Sequence, residues 1–198
     1  MKRKEWMNMT TVGVVVGSLR KESFSQKIAS FAASLFPEDI RIEWIEIGQL
    51  PLYNQDYDGE EKTPEEYNVF RRKINEIDAF LFVTPEYNRS IPAALKNALE
   101  VGSRPRTMNA WNNKPAGIIS QSPGNLGGFG ANHHLRQTLV ALNMPVVQQP
   151  EVYLSHSATL LDDNGRINNE DTIHFLQSFI DALMDLVRQQ QMEEVVSE

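Results

Sequence analysis

Ser18, Arg20, Ser23 and Ser25 fall within eight residues of one segment, Gly17-Ser18-Leu19-Arg20-Lys21-Glu22-Ser23-Phe24-Ser25-Gln26. Hydroxyls and a planar multi-donor guanidinium at that density suit a terminal monophosphate, especially where backbone N–H groups of a starting helix point the same way. Two known phosphate fingerprints are absent: there is no G-x-x-x-x-G-K-[ST] and no G-x-G-x-x-G. Ser23-Phe24-Ser25-Gln26 also has the S-x-x-Q form of a capping box, so plain helix capping accounts for the same residues.

Two further segments carry unusual residue types. Thr84-Pro85-Glu86-Tyr87-Asn88-Arg89-Ser90-Ile91-Pro92 has a proline near each end and short polar residues between. A backbone stiffened in this way can hydrogen-bond the edge of a planar heterocycle, with Tyr87 as a wall; a stiff turn with an exposed tyrosine is the plainer reading. Ser120-Gln121-Ser122-Pro123-Gly124-Asn125-Leu126-Gly127-Gly128-Phe129-Gly130 packs four glycines into seven residues. Such glycines permit positive φ and close approach of backbone to a ligand, and we expect that use of them rather than packing, the alternative being a flexible surface loop. Together the three segments suit a flat cofactor with a phosphate tail.

Other chemistries fit less well. His133 and His134 are adjacent and diverge on a helix, which makes a poor metal pair, and His156 and His174 lie apart. No metal site is expected. A serine hydrolase needs G-x-S-x-G after a strand, and Ser120-Gln121-Ser122-Pro123-Gly124 places serine elsewhere. No general base is evident, so no residue is assigned a catalytic role. Trp111 is open between a dimer contact, a pocket wall and local packing.

The elements that position these segments alternate strictly. Thr11–Val16 is a β-branched run, apolar on both faces, that reads as a buried parallel strand ending at Gly17. Residues 24–36 show helical spacing at Phe24, Ile28, Phe31, Ala32 and Leu35. Ile40–Ile47 alternates as a half-buried strand near an edge, and Gly48–Lys62 reads as a loop. A helix opens at Thr63-Pro64-Glu65-Glu66, a strand spans Asp78–Thr84, and a helix follows Ser90-Ile91-Pro92. Pro115–Ser120 is a third buried strand, residues 131–142 a helix, Pro145–Leu154 one or two short strands, and residues 169–189 a long amphipathic helix. Five such βα units predict an α/β fold, a doubly wound parallel sheet with helices on both faces. Ligands bind such sheets beyond the carboxyl ends of the strands, which is where all three segments fall.

The chain has 198 residues, suits a single domain over 1–198, and has 41% hydrophobic residues. A net charge of −7 argues against nucleic acid as a partner, and mildly against an anionic membrane surface. No stretch is apolar enough to span a bilayer. The absence of cysteine excludes disulfides, thiolate metal sites and a cysteine nucleophile. The basic start lacks the apolar run of a secretory signal, so a cytoplasmic location is expected, with residues 1–9 and 190–198 flexible.

Gly17-Ser18-Leu19-Arg20-Lys21-x-Ser23 is followed by Pro85-Glu86-Tyr87-Asn88 and Ser90-Ile91-Pro92-x-x-Leu95-Lys96-Asn97-Ala98. The glycine-rich segment and His134-Leu135-Arg136-Gln137 come next. In that order, over about residues 11–155, they resemble the NAD(P)H-dependent FMN reductase family, which includes bacterial chromate, quinone and azo-dye reductases. The resemblance implies a flavodoxin-like three-layer fold with a five-stranded parallel sheet, bound FMN, NAD(P)H as hydride donor, and a homodimer or homotetramer. It implies a small acceptor: a quinone, azo compound, nitroaromatic, metal oxyanion or free flavin. By the same resemblance Ser18, Arg20, Ser23, Ser25 and Gln26 hold the FMN phosphate. Pro85, Glu86, Tyr87 and Asn88 line the ring, largely through backbone groups. Ser122, Pro123, Gly124, Gly127 and Gly128 close over the ring and ribityl side. Two departures stand out: Ser25 replaces an asparagine common in the family, and Pro123 removes an N–H donor. A flavodoxin-like electron carrier without enzymatic activity is the alternative function.

Overall fold

The computed structural model describes residues 9–59, 62–162 and 164–197. Its strands are β1 (Thr11–Val16), β2 (Arg41–Ile45), β3 (Ala79–Pro85), β4 (Ala116–Gln121) and β5 (Val152–Leu154). Its helices are α1 (Phe24–Ala33), α2 (Glu65–Asn75), α3 (Ala93–Gly102), α4 (Phe129–Ala141), α5 (Ser157–Leu160) and α6 (Glu170–Ser197). All strand pairs are parallel, in the order β2-β1-β3-β4-β5, which is the flavodoxin-like order. The order reverses between β1 and β3, so the chain leaves these neighbours toward opposite sides and opens a crevice at their carboxyl ends.

The strand sequences follow from burial on both faces. Val12, Val14 and Val16 of β1 enter one core with Ile28, Ala29 and Ala32 of α1 and the apolar stripe Leu176, Phe179, Ile180 and Leu183 of α6. Val15 points the other way, into a core with Phe80, Phe82, Phe70 of α2, Leu95 and Leu99 of α3, and Leu135 of α4. Each fully buried side chain of this size stabilises the fold by about 1.5–3 kcal/mol. At the edge, β2 is only half buried, in keeping with its alternating residues.

One open reading is decided and two expectations are corrected. Trp111 is fully buried and serves local packing: its ring lies 4.9 Å from that of Phe80 and 6.1 Å from that of Phe70, and Nε1 donates to Leu99 O at 3.1 Å. It leaves no room for a Cβ at Gly102, so it cannot face a partner or a pocket. The terminal helix does not stop at Gln189 but continues to Ser197, because nothing in Gln189-Gln190-Gln191-Met192 breaks a helix. The helix expected from residue 131 begins at Phe129, for a reason given below. The expectation for the N-terminal segment falls, Met9 apart, outside the described residues.

Trp111→Ala is expected to cost about 3–5 kcal/mol in denaturant unfolding. Met108→Ala, three residues earlier and exposed, should shift the same curve by no more than about 0.5 kcal/mol.

Candidate functional site

The first segment leaves β1 at Gly17, whose N–H donates to Val83 O of β3 at 2.9 Å. Ser18 Oγ accepts from Arg20 N at 3.4 Å, which tightens the turn. Ser23 is the N-cap of α1, and its Oγ accepts from Gln26 N at 3.4 Å. The first turn of α1 holds no acid, so its positive dipole end is uncompensated by side chains of its own helix. Ser18, Arg20, Lys21 and Gln26 line a cavity of ≈ 250 Å³ beside the end of β2, with the carboxylate residue Glu46 on its β2 side, and the Arg20 guanidinium sits over the Phe24 ring, 5.6 Å from its centroid. Ser23 and Ser25 are buried instead. Ser25 Oγ accepts from Gln121 Nε2 at 2.9 Å, which ties the phosphate-type segment to the end of β4.

The second segment is a tight left-handed turn. Tyr87 and Ser90 exchange two backbone hydrogen bonds of 2.9 and 3.0 Å, and Asn88 and Arg89 between them have φ of 51° and 67°. Both central residues at positive φ make a type I′ turn, which asparagine tolerates and arginine does not favour. Pro85 is buried as the last residue of β3, opposite Gln121, while the Tyr87 ring is half exposed. The Glu86 side chain, 11% exposed, turns away from the edge: Oε2 accepts from Ala131 N of α4 at 3.1 Å, and Oε1 pairs with Arg89 at 3.2 Å. A second tie follows one turn later on α4, where Ser90 Oγ meets His134 Nδ1 at 2.6 Å.

Within the third segment, the connection between β4 and α4 runs from Ser122 to Gly128. Gly127 (φ +56°) and Gly128 (φ +79°) are left-handed as expected, but the close approach is to the chain itself. A Cβ on Gly127 would lie 2.6 Å from the Tyr153 carbonyl carbon, and one on Gly130 would lie 2.9 Å from Glu86 Oε2. The expectation that these glycines do not serve packing is therefore corrected. Gly128 occupies the N-cap position of α4 without a side chain, and Glu86 supplies the acceptor, which is why α4 starts at Phe129. Ser122 Oγ accepts from Gly124 N at 3.0 Å, and Pro123 and Asn125 are exposed beside it.

A fourth segment escaped the sequence reading. Immediately after β5, Ser155 Oγ donates to Asn125 O (2.7 Å), His156 N to Gly124 O (3.2 Å) and Ser157 N to Ser122 O (3.2 Å). Three consecutive residues thus clamp the third segment, with His156 left-handed at φ 53°. The signal was topological: β5 ends at the same sheet edge as the other strands, so its following loop belonged to the same search. Gln121 Oε1 and Ser157 Oγ are buried and lack a hydrogen-bond partner among the described residues. Buried polar atoms of this kind mark a place for a bound water or a ligand. The adjacent histidines diverge as expected, since His133 Nε2 faces the Tyr153 hydroxyl at 3.1 Å.

Glu86→Ala leaves the first turn of α4 without its acceptor, and the expected loss is about 0.5–2 kcal/mol in a denaturant titration. Burial and the Glu151 carboxylate push the Tyr153 phenol up to about 12, from an ordinary value near 10. The folded protein therefore holds that proton more tightly than the unfolded chain. Its contribution is intact below pH 10 and declines as pH rises toward 12. Tyr153→Phe should flatten the alkaline limb of a pH–stability profile.

The arrangement has known counterparts. Residues 10–159 match the family model described as NADPH-dependent FMN reductase. A quinone reductase of Pseudomonas putida is 51% identical over 178 residues, covering 90% of this chain and 95% of that protein. A 2-hydroxy-1,4-benzoquinone reductase of a Burkholderia species is 45% identical over 177 residues, covering 89% and 96%. Among solved structures, the flavoenzyme NAD(P)H:(acceptor) oxidoreductase of Paracoccus denitrificans superposes with a TM-score of 0.85 at 36% identity, over 91% of this chain and 98% of that one. With its sheet order, its site segments and most of its length matched in this way, the chain belongs to the NADPH-dependent FMN reductase family.

Proposed function

We propose that this protein is an NAD(P)H-driven, FMN-dependent oxidoreductase whose acceptor is a quinone, acting in the cytoplasm as a homodimer or homotetramer. The observation behind the reading is the convergence of the segments after β1, β3 and β4 on one sheet edge, cross-tied by Ser25–Gln121 and Glu86–Ala131. The names of the 51% and 45% identical relatives favour a quinone over the other acceptors. In the described residues no helix is long and apolar enough to cross a membrane. Half-exposed Leu126 and Phe129 of the third segment stand with Tyr87 around the edge, which supports a second copy packing there.

The residues present fit FMN. The acid-free start of α1, with Arg20 and Lys21 beside it, suits a phosphate dianion, and the orphaned Gln121 Oε1 and Ser157 Oγ offer buried polar partners nearby. Ser18, Arg20 and Gln26 hold the phosphate, and Ser23 sets the helix start that points N–H groups at it. Ser25 acts through Gln121 rather than by reaching the phosphate itself. Pro85, Glu86, Tyr87 and Asn88 form one wall of the ring site, and Ser122, Pro123, Gly124, Gly127 and Gly128 the other. FMN held there would supply the two-electron chemistry, hydride acceptance from NAD(P)H and reduction of a quinone to the hydroquinone with uptake of two protons. The chain's own part is to bind and orient the ring and keep one face open beside Tyr87.

The purified protein is expected to be yellow and to oxidise NADPH with a benzoquinone as acceptor. Arg20→Ala or Ser23→Ala should lose flavin absorbance. A yellow protein with negligible direct turnover would be an electron carrier. A colourless one that leaves added FMN fluorescence unquenched ends both readings.

A further inference from the structure

The side-chain amide of Gln121 is only half used. Its Nε2 donates to Ser25 Oγ at 2.9 Å, while Oε1 is buried and lacks a hydrogen-bond partner among the described residues. Gln121 is 4% exposed and Ser25 fully buried. Side chains alternate along a strand, so Gln121 faces the same way as Ile119, toward the core that Val16, Val83 and Ala29 share. It ends that apolar face of β4 on a polar group, beside the first turn of α1. Ser157 Oγ is a second atom of this kind. The Ser157 N–H donates to Ser122 O, so Ser157 stands against the residue that follows Gln121.

The other buried side-chain atoms without a partner among the described residues belong to ion-paired groups, Asp58 with Arg71 and Arg136 with Glu151, whose charges answer one another. Gln121 and Ser157 are neutral and have no such compensation. The hydroxyls around them are taken. Ser120 Oγ donates to Gly127 O and Thr84 Oγ1 to Pro85 O, while Ser23 and Ser122 accept from backbone N–H groups. A donor for Gln121 Oε1 therefore comes from outside the chain, and a buried acceptor left without one is costly. The chemistry of that donor is constrained. A phosphate dianion has lone pairs and no proton to give, so it repels Oε1. The flavin ring carries a single N–H, at the end away from the phosphate. The ribityl hydroxyls do donate, and they join phosphate to ring. Gln121 is anchored on the first turn of α1, at the phosphate end, and lies opposite Pro85 of the ring segment. A chain joining the two passes between these points.

We propose that Gln121 Oε1 accepts a hydrogen bond from a ribityl hydroxyl of FMN, with Ser157 Oγ a second partner of the same polyol. The two residues then form a ribityl subsite distinct from the phosphate grip of Ser18, Arg20 and Gln26. The proposal rests on the flavin reading above and assigns to the polyol two residues from outside the phosphate segment. Ser25 has a part in it as the anchor that turns the Gln121 amide so that its oxygen is the free end.

A set of flavins separates the parts of the ligand: FMN has ring, polyol and phosphate, riboflavin lacks the phosphate, and lumiflavin lacks the polyol as well. On the FMN-loaded protein, the Kd for FMN is read from the fluorescence recovered on dilution. Those for riboflavin and lumiflavin are read from the heat of displacing FMN. Gln121→Met, close in length but without the amide, should raise the Kd for FMN and for riboflavin alike, by about tenfold, and leave that for lumiflavin unchanged. Ser157→Ala keeps the bond between Gln121 and Ser25 and should give the same pattern at about threefold. If Gln121→Met fails to fold, the pattern in Ser157→Ala decides. A loss confined to FMN puts these residues on the phosphate. An equal loss for all three flavins makes their part structural, and no loss for any leaves only a bound water at Oε1. Each of these outcomes overturns the proposal. Unaltered protein that binds none of the three flavins would instead overturn the flavin reading.

Discussion

A helix start needs acceptors for its first N–H groups, and at α4 the chain supplies one from 45 residues away. Gly128 at the N-cap position has a left-handed backbone and no side chain, so the carboxylate of Glu86 does what a capping serine does elsewhere. A mostly buried carboxylate at the positive end of a 13-residue helix is favoured by the dipole as well as by the hydrogen bond. Much of the site's shape depends on this contact. It fixes how far the second segment stands from the third, and it leaves room only for glycine at position 130. With Ser90 on His134 it pins the Tyr87 turn at two points of the same helix.

The sheet makes that contact possible. β3 and β4 are neighbours in register from Phe80–Ala116 to Pro85–Gln121, so their following loops emerge side by side. β1 lies on the other side of β3, and its loop is tied in through Gly17 to Val83 and through Ser25 to Gln121. β5 is only three residues long, yet its following residues, Ser155 to Ser157, hold the third loop from its outer side. Four loops from four strands thus brace one another, while the apolar cores beneath them are shared by the helices of each face.

Much of the fold was legible in the sequence, because a strand buried on both faces must be a continuous apolar run. Thr11–Val16 and Ala79–Val83 can hardly read as anything else. The three site segments were legible as well, through residue types that a mere connection does not need. What was not legible depends on contacts distant in sequence. Nothing near Gly127 or Gly130 says that Tyr153 and Glu86 pass within a Cβ's reach of them. Nothing near Ser25 points to Gln121, 96 residues on. Trp111 sits in a polar stretch, and its burial depends on Phe70, Phe80 and Phe82 closing around it from α2 and β3. Ser155-His156-Ser157 resembles any loop until the end of β5 places it at the shared edge.

The left-handed pair Asn88–Arg89 has a consequence for binding at this edge. Fixing a backbone residue in one conformation costs on the order of 1–2 kcal/mol of entropy, and an unfavoured φ at Arg89 adds to it. Here the bonds that hold the turn come from Glu86, Ser90 and α4 of the chain itself, so that cost is met when the chain folds. A flat molecule arriving at this edge meets a preorganised rim, and its affinity is not reduced by having to order it.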